Sequence, residues 1–197
     1  MPSRKPKPAI NTSQLRIIGG QWRSRKLDFA AVEGLRPTPD RVRETLFNWL
    51  QHSIAGAHCL DIFAGSGALG LEALSRGAEH CTFIDLASAP CQHLRDNCKK
   101  LDCQRANIVQ ADAQQWLEQQ RPQAAAFDVI FLDPPFNKNL LAPMCERIEA
   151  LGLLKEGGYI YTECERTLQV HLPWKLHREK TAGQVRYALW QRDSSAQ

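Results

Sequence analysis

Four short apolar runs, each reaching a carboxylate, constrain this chain more than any other feature. They are Cys59-Leu60-Asp61-Ile62-Phe63, Cys81-Thr82-Phe83-Ile84 before Asp85, Asn107-Ile108-Val109 shortly before Asp112, and Phe127 to Leu132 before Asp133. The acids are spaced by 24, 27 and 21 residues, and each interval suits one strand plus one helix. Runs that are apolar nearly throughout read as strands buried on both faces, as inside a parallel sheet. The chain is therefore expected to be α/β. Its acids would line the carboxyl edge of the sheet, where open α/β folds bind ligands. A single acid at a strand end is usually a solvated cap. Four in succession at this spacing argue for a common site.

The fourth run ends in Asp133-Pro134-Pro135-Phe136. Proline fixes its own φ and restricts the residue before it, so this is a stiff corner. Neither proline has an N–H, and the corner presents acceptors only. Asp133 adds another acceptor, and Phe136 offers a face for stacking, worth roughly 1–3 kcal/mol for a nucleobase. A group that fits is an exocyclic amino nitrogen, with two donors on a planar π system. Holding both hydrogens would orient its lone pair toward an electrophile, an effect of positioning and electrostatics.

The first run leads into Ala64-Gly65-Ser66-Gly67 and then a helical pattern with Leu69, Ala73 and Leu74 on one side. Glycine lets a ligand approach the backbone, and the helix start beyond offers free N–H groups. Gly65, Gly67 and Gly70 also match G-x-G-x-x-G, with Asp85 lying 18 residues beyond Gly67. That spacing is close to the ribose-binding acid of dinucleotide enzymes, so the loop alone admits a nicotinamide enzyme. Asp61 argues for a different nucleotide cofactor, because it would face an ammonium group that a dinucleotide lacks. Asp112, with Ala113 beside it, is suited to an adenine amino group.

At 197 residues the chain has room for one substantial domain. No apolar stretch approaches a membrane span, and the basic start has no apolar segment after it to make a secretory signal. Seven scattered cysteines with no C-x-x-C pair point to reduced thiols in a cytoplasmic protein. The six histidines show no metal-ligand spacing, and no metal is expected.

Net charge is only +4, yet residues 1–43 carry ten Lys/Arg against three acids, so the rest of the chain is net acidic. A basic arm on an acidic body points to a polyanionic partner. Residues 1–13 look flexible. Residues 14–28 read as a hairpin turned at Gly19-Gly20. Arg16, Arg23, Arg25 and Lys26 along it would meet phosphates. Trp22 would either stack on a base or pack on the domain. Thr38-Pro39 reads as the N-cap and first position of a helix through about His52. Val42, Leu46, Trp49 and Leu50 form its apolar face, and Arg41 and Arg43 either line a substrate cleft or are solvated. Helices are expected near 88–101, 113–121 and 139–151, a fifth strand over Tyr159–Thr162, and an antiparallel hairpin near 172–180 and 184–191. The whole is a seven-stranded, mostly parallel sheet with an antiparallel edge hairpin, preceded by a basic β-hairpin. Residues 1–35 form the tail and hairpin, and 36–197 a single compact domain.

Taken together, Leu60-Asp61-Ile62-Phe63-Ala64-Gly65-Ser66-Gly67, Asp85, Asp112 and Asp133-Pro134-Pro135-Phe136 resemble a class I S-adenosylmethionine-dependent methyltransferase with its Rossmann-like fold. The last motif resembles the subgroup that methylates exocyclic amino nitrogens. Leu35-Arg36-Pro37-Thr38-Pro39-Asp40-Arg41-Val42-Arg43-Glu44 and the short length resemble the RsmD family, whose members methylate guanine N2 in bacterial small-subunit (16S) ribosomal RNA. The resemblance covers roughly residues 36–192. It implies that Asp61 and Phe63 to Gly67 hold the methionine part of S-adenosylmethionine. Asp85 would take the ribose hydroxyls with Leu86 beside it, and Asp112 and Ala113 the adenine. Asp133, Pro134, Pro135 and Phe136 would hold the target base. Asp85 stands where a glutamate is often found, and its shorter side chain can still accept both hydroxyls. The implied partner is ribosomal RNA, in the small subunit or an assembly intermediate, bound by a monomer. The amino-clamp chemistry also admits adenine N6 or a protein glutamine as target. A non-catalytic RNA-binding assembly module is the reading from another class.

Overall fold

In the computed structural model, residues 12–30, 37–121 and 126–193 are described. The basic tail through residue 11 and the Leu35-Arg36 pair lie outside them. The chain opens with an antiparallel pair, β1 (Thr12–Arg16) and β2 (Lys26–Ala30), with Leu15 opposite Leu27. Then come α1 (Asp40–Trp49), β3 (His58–Ile62), α2 (Ala68–Ser75), β4 (His80–Asp85), α3 (Ser88–Lys100), β5 (Ala106–Gln110), α4 (Ala113–Gln119), β6 (Phe127–Leu132) and α5 (Leu141–Ala150). Three strands finish the fold: β7 (Leu154–Glu165), β8 (Lys175–Ala182) and β9 (Val185–Gln191). The large sheet has seven strands in the order β5-β4-β3-β6-β7-β9-β8. The first five are parallel, and β9 runs antiparallel to both β7 and β8. The seven-stranded α/β sheet with its antiparallel edge hairpin is thus the observed architecture.

Alternation along the buried strands divides the core into two layers. Cys59, Phe83, Val129, Phe131 and Tyr161 meet α1, α2 and α3 on one face of the sheet. Leu60, Ile62, Ile84, Ile130 and Ile160 meet α4 and α5 on the other. Gly70 lets α2 lie directly on the sheet, since a Cβ there would stand 2.2 Å from the Phe83 ring.

The N-terminal hairpin departs from its expected form. Gly19-Gly20 is not its turn. The Gly20 carbonyl accepts from Arg23 N–H, and the chain reverses just beyond, through residues 21–24. The glycine pair is where the hairpin docks on α2. Ile18 and Gly19 N–H groups each donate to the Glu72 carboxylate at 2.8 Å, and Gln21 N–H donates to the Ser75 carbonyl. A Cβ on Gly20 would stand 1.8 Å from that carbonyl oxygen, and its φ is +76°. Only glycine lets the two backbones come so close. Ile17, Trp22 and Leu27 are buried in the same cluster as the sheet and α2, so the hairpin shares the main core.

Helix α1 also starts differently. Its first residue is Asp40, and Thr38 is not its cap. The Thr38 hydroxyl instead donates to Glu163, 125 residues away, at 2.9 Å. Arg43 is neither solvated nor in a cleft. It is completely buried, donating to Glu72, Asp40 and the carbonyls of Arg16 and Thr38.

Candidate active site

The carboxyl ends of β3, β4 and β6 and the loop after β5 gather the four acids along one edge of the sheet. Asp61 is buried, and its Oδ2 accepts from Gly70 N–H at 2.9 Å. Burial, reinforced by the nearby Asp85 charge, pushes its pKa up to about 8, although the Gly70 N–H pulls the other way. A carboxylate so placed is relieved by a cation. It faces a recess lined by Phe63, Ala64, Gly65, Ser66, Thr38 and Asp133, among others. Phe63 itself has φ +68°, an uncommon conformation for a bulky residue and one that concentrates at ligand sites.

Asp85 clasps the glycine loop. Its Oδ2 accepts from Gly65 N–H and its Oδ1 from Ala87 N–H, both at 2.8 Å. Each oxygen keeps a lone pair, enough for two hydroxyl groups. Leu86 beside it is 67% exposed, the most open large apolar side chain described. Asp112 caps α4, with Oδ1 accepting from Gln115 N–H at 3.0 Å, and its Oδ2 has no partner among the described residues. Ala113 is buried behind it. The carboxylate acceptors of Asp61, Asp85 and Asp112 are compatible in kind with the ammonium, hydroxyl and amino donors of S-adenosylmethionine.

At the end of β6, Asp133 is half-buried. Burial raises its pKa well above the usual carboxylate range, helped by the charges of Glu163 and Asp61. Pro134 is buried and Pro135 exposed, while Phe136 is 38% exposed. Asp133 sits on the wall of the same recess as Asp61, so the end of β6 adjoins the glycine loop.

Glu163 went unrecognised in the sequence. Leu132 pairs with Thr162 across β6 and β7, so the next residues, Asp133 and Glu163, are in register on the α1 side. Glu163 is buried, and its Oε1 accepts from the Thr38 and Tyr161 hydroxyls, both at 2.9 Å. Burial raises its pKa, and the two hydroxyls oppose that. The available signal was a fifth acid following a fifth apolar strand.

Among the basic candidates, Arg16, Arg23, Arg25, Lys26 and Arg41 are all exposed. Arg16 pairs with Asp40 at 3.0 Å, and Arg25 donates to the Lys100 carbonyl. Trp22 takes the second of its two expected places: it is buried, with its backbone N–H donating to Ser75 Oγ and the Arg105 guanidinium 5.8 Å from its ring. It packs on the domain, and no face is left for a base.

This strand order, with an antiparallel strand inserted beside β7 above an acid-lined ligand edge, is the fold of class I S-adenosylmethionine-dependent methyltransferases. A family model described as "Conserved hypothetical protein 95" matches residues 15–191. "Ribosomal RNA small subunit methyltransferase D" of Escherichia coli (strain K12) is 47% identical over 191 residues, covering 94% of each chain. The Haemophilus influenzae protein of the same name is 44% identical, over 90% of this chain and 94% of the relative. The solved structure of yhhF from Escherichia coli superposes with a TM-score of 0.85 at 48% identity, covering 93% of this chain and all of that one. The chain belongs to this family, the RsmD methyltransferases.

Proposed function

We propose that the chain transfers a methyl group from S-adenosylmethionine to N2 of one guanine in small-subunit ribosomal RNA. The observation that carries this reading is the acceptor-only corner Asp133 to Phe136 beside the Asp61 recess, in a family whose relatives are named for small-subunit ribosomal RNA.

S-adenosylmethionine, when bound, supplies an electrophilic methyl carbon. Asp61 and the Phe63 to Gly67 loop would hold its amino-acid end, Asp85 its ribose, and Leu86, Asp112 and Ala113 its adenine. The Asp133 carboxylate and the Pro134 carbonyl accept the two N2 hydrogens, and Phe136 stacks on the base. That would hold the amine lone pair in line with the methyl carbon, so that the N–C bond would form as the S–C bond breaks and S-adenosylhomocysteine leaves. The methylated amine is acidic and sheds a proton to Asp133 or water, so no stronger base is required. Asp133 bears its negative charge most readily when the cationic donor is present, because burial and two neighbouring carboxylates otherwise disfavour it.

Arg23, Arg25, Lys26 and Arg41 contact phosphates around the target, and Arg16, held by Asp40, lies beside them with a smaller share. The partner is ribosomal RNA, in the small subunit or an assembly intermediate, and the enzyme acts as a cytoplasmic monomer. Among the described residues, no helix is long and apolar enough to cross a membrane.

Mass spectrometry of ribosomal RNA from cells lacking the protein should reveal one missing N2-methylguanine. An unchanged set of methylated guanines would refute the reading. Asp133→Ala should bind S-adenosylhomocysteine normally while transfer falls at least about 100-fold, the scale for losing one positioned polar group. Turnover near wild type would rule out the amino clamp.

A further inference from the structure

The corner at Asp133 fits any exocyclic amino group, so the choice among guanine, adenine and cytosine must come from something beside it. Those bases differ at the ring atom next to the amino carbon. Guanine presents a donor there, N1–H. Adenine and cytosine present acceptors, N1 and N3.

Glu163 stands at the right place to read that atom. The β6–β7 register sets it beside Asp133, one strand over, and neighbouring strands lie about 4.8 Å apart. It also lines a recess together with Pro134, Pro135 and Phe136. Through Thr38 it is tied to the wall of the recess that Asp133 and Asp61 line. Its Oε1 is committed to two hydroxyl donors. Its Oε2 has no hydrogen-bond partner among the described residues, and no described buried side-chain oxygen is left unsatisfied. Oε2 is therefore accessible. Two donors on Oε1 also fix the carboxylate's orientation, which makes Oε2 an acceptor of defined direction.

We propose that Glu163 selects guanine by accepting N1–H through Oε2, while Asp133 and Pro134 hold the adjacent N2 amino group. The inference rests on the methylation reading above and deepens it. Two neighbouring carboxylates then match two neighbouring donor groups of one base edge. An adenine or cytosine amino group in the same clamp would bring a ring lone pair against Oε2, and that repulsion rejects the base.

The test uses RNA with either guanine or 2-aminopurine at the nucleotide that loses its methyl group in cells without the protein. 2-Aminopurine keeps the amino group but has an acceptor at N1. The wild-type protein should favour guanine by about 100-fold or more in kcat/KM. In Glu163→Gln the Thr38 and Tyr161 hydroxyls keep the amide oxygen at the Oε1 position, so the NH2 takes the Oε2 position and donates to an N1 acceptor. The guanine preference should fall at least tenfold, with S-adenosylhomocysteine affinity unchanged and the fold retained. A ratio within threefold of wild type in a folded variant would overturn the assignment, as would a wild-type protein that methylates both RNAs equally. If Glu163→Gln does not fold, Thr38→Val, which removes one orienting hydroxyl, is read in the same way: a threefold or greater loss of preference supports the assignment, and an unchanged ratio overturns it. No transfer to either RNA by the wild-type protein would instead overturn the methylation reading, and this assignment with it.

Discussion

Asp61 is held where a lone carboxylate is costly, and that cost has a measurable sign. Its pKa rises from 3.8 to about 8, chiefly through burial. Between those values the folded protein keeps a proton that the unfolded chain gives up. The stability tied to that proton is full below about pH 3.8 and is lost as pH rises to about 8. Asp61→Asn removes the titration while leaving an oxygen for Gly70 N–H. The ligand-free variant should therefore melt above wild type at pH 8, by about 4 °C or more on a scale of 2–4 °C per kcal/mol for a chain of this size. The gap should narrow toward pH 5. His80 and His177, whose pKa values are lowered by burial, shift stability the opposite way, but they are common to both proteins and cancel in the difference. Melting curves of the two proteins at pH 5 and pH 8 check this. A gap independent of pH would show that Asp61 does not titrate as its surroundings dictate.

At the scale of elements, the docking of the N-terminal hairpin on α2 joins the basic segment to the catalytic sheet. Glu72, fully buried, accepts from two hairpin N–H groups and pairs with Arg43 and Arg76. Gly20→Ala would drive a methyl group into the Ser75 carbonyl at a φ that L-residues disfavour. It should loosen the hairpin and weaken RNA binding at least about fivefold, while S-adenosylhomocysteine affinity, read by calorimetry, stays within twofold. Equal losses of both affinities would mean that the hairpin and the cofactor edge are one cooperative unit. The same elements show what a sequence can and cannot disclose. The parallel strands β3, β4 and β6 are legible because each is a local, mostly apolar run bounded by turn residues, and β8, though polar and exposed, is marked by the Ala182-Gly183 turn that joins it to β9. The acid spacing exposes the ligand edge. Gly19-Gly20 reads as a turn in the sequence because its partner, Ser75, lies far along the chain. Thr38 looked like a helix cap because its true acceptor, Glu163, is brought in only by the sheet. Arg43 gave no local sign of burial, since its partners at 16, 38 and 72 converge only in the folded state. Local chemistry is written in neighbours, whereas long-range pairing is written in topology.

Over the whole molecule, the charge asymmetry supports the proposed RNA contact and makes it testable. Not every surface cation counts equally. Arg16 is already neutralised by Asp40, and Lys100 by Asp28. Arg23, Lys26 and Arg41 are exposed and have no ion pair among the described residues. Phosphate contacts release counterions, so each one steepens the fall of affinity with salt by about 0.7–0.9 in log–log slope. Replacing Arg23, Lys26 and Arg41 together by alanine should therefore flatten the slope by about 2 for binding to small-subunit ribosomal RNA. Arg16→Ala should change it by less than about 0.5, because Arg16 is already engaged by Asp40, which Arg43 continues to pair in the variant. Filter binding between about 50 and 200 mM salt reads both slopes. An unchanged slope in the triple variant would move the RNA contact elsewhere. An exposed alternative is β8, whose Lys175, Arg178 and Lys180 lie on the free edge of the sheet, and the same titration on alanine variants there would then locate the phosphate track.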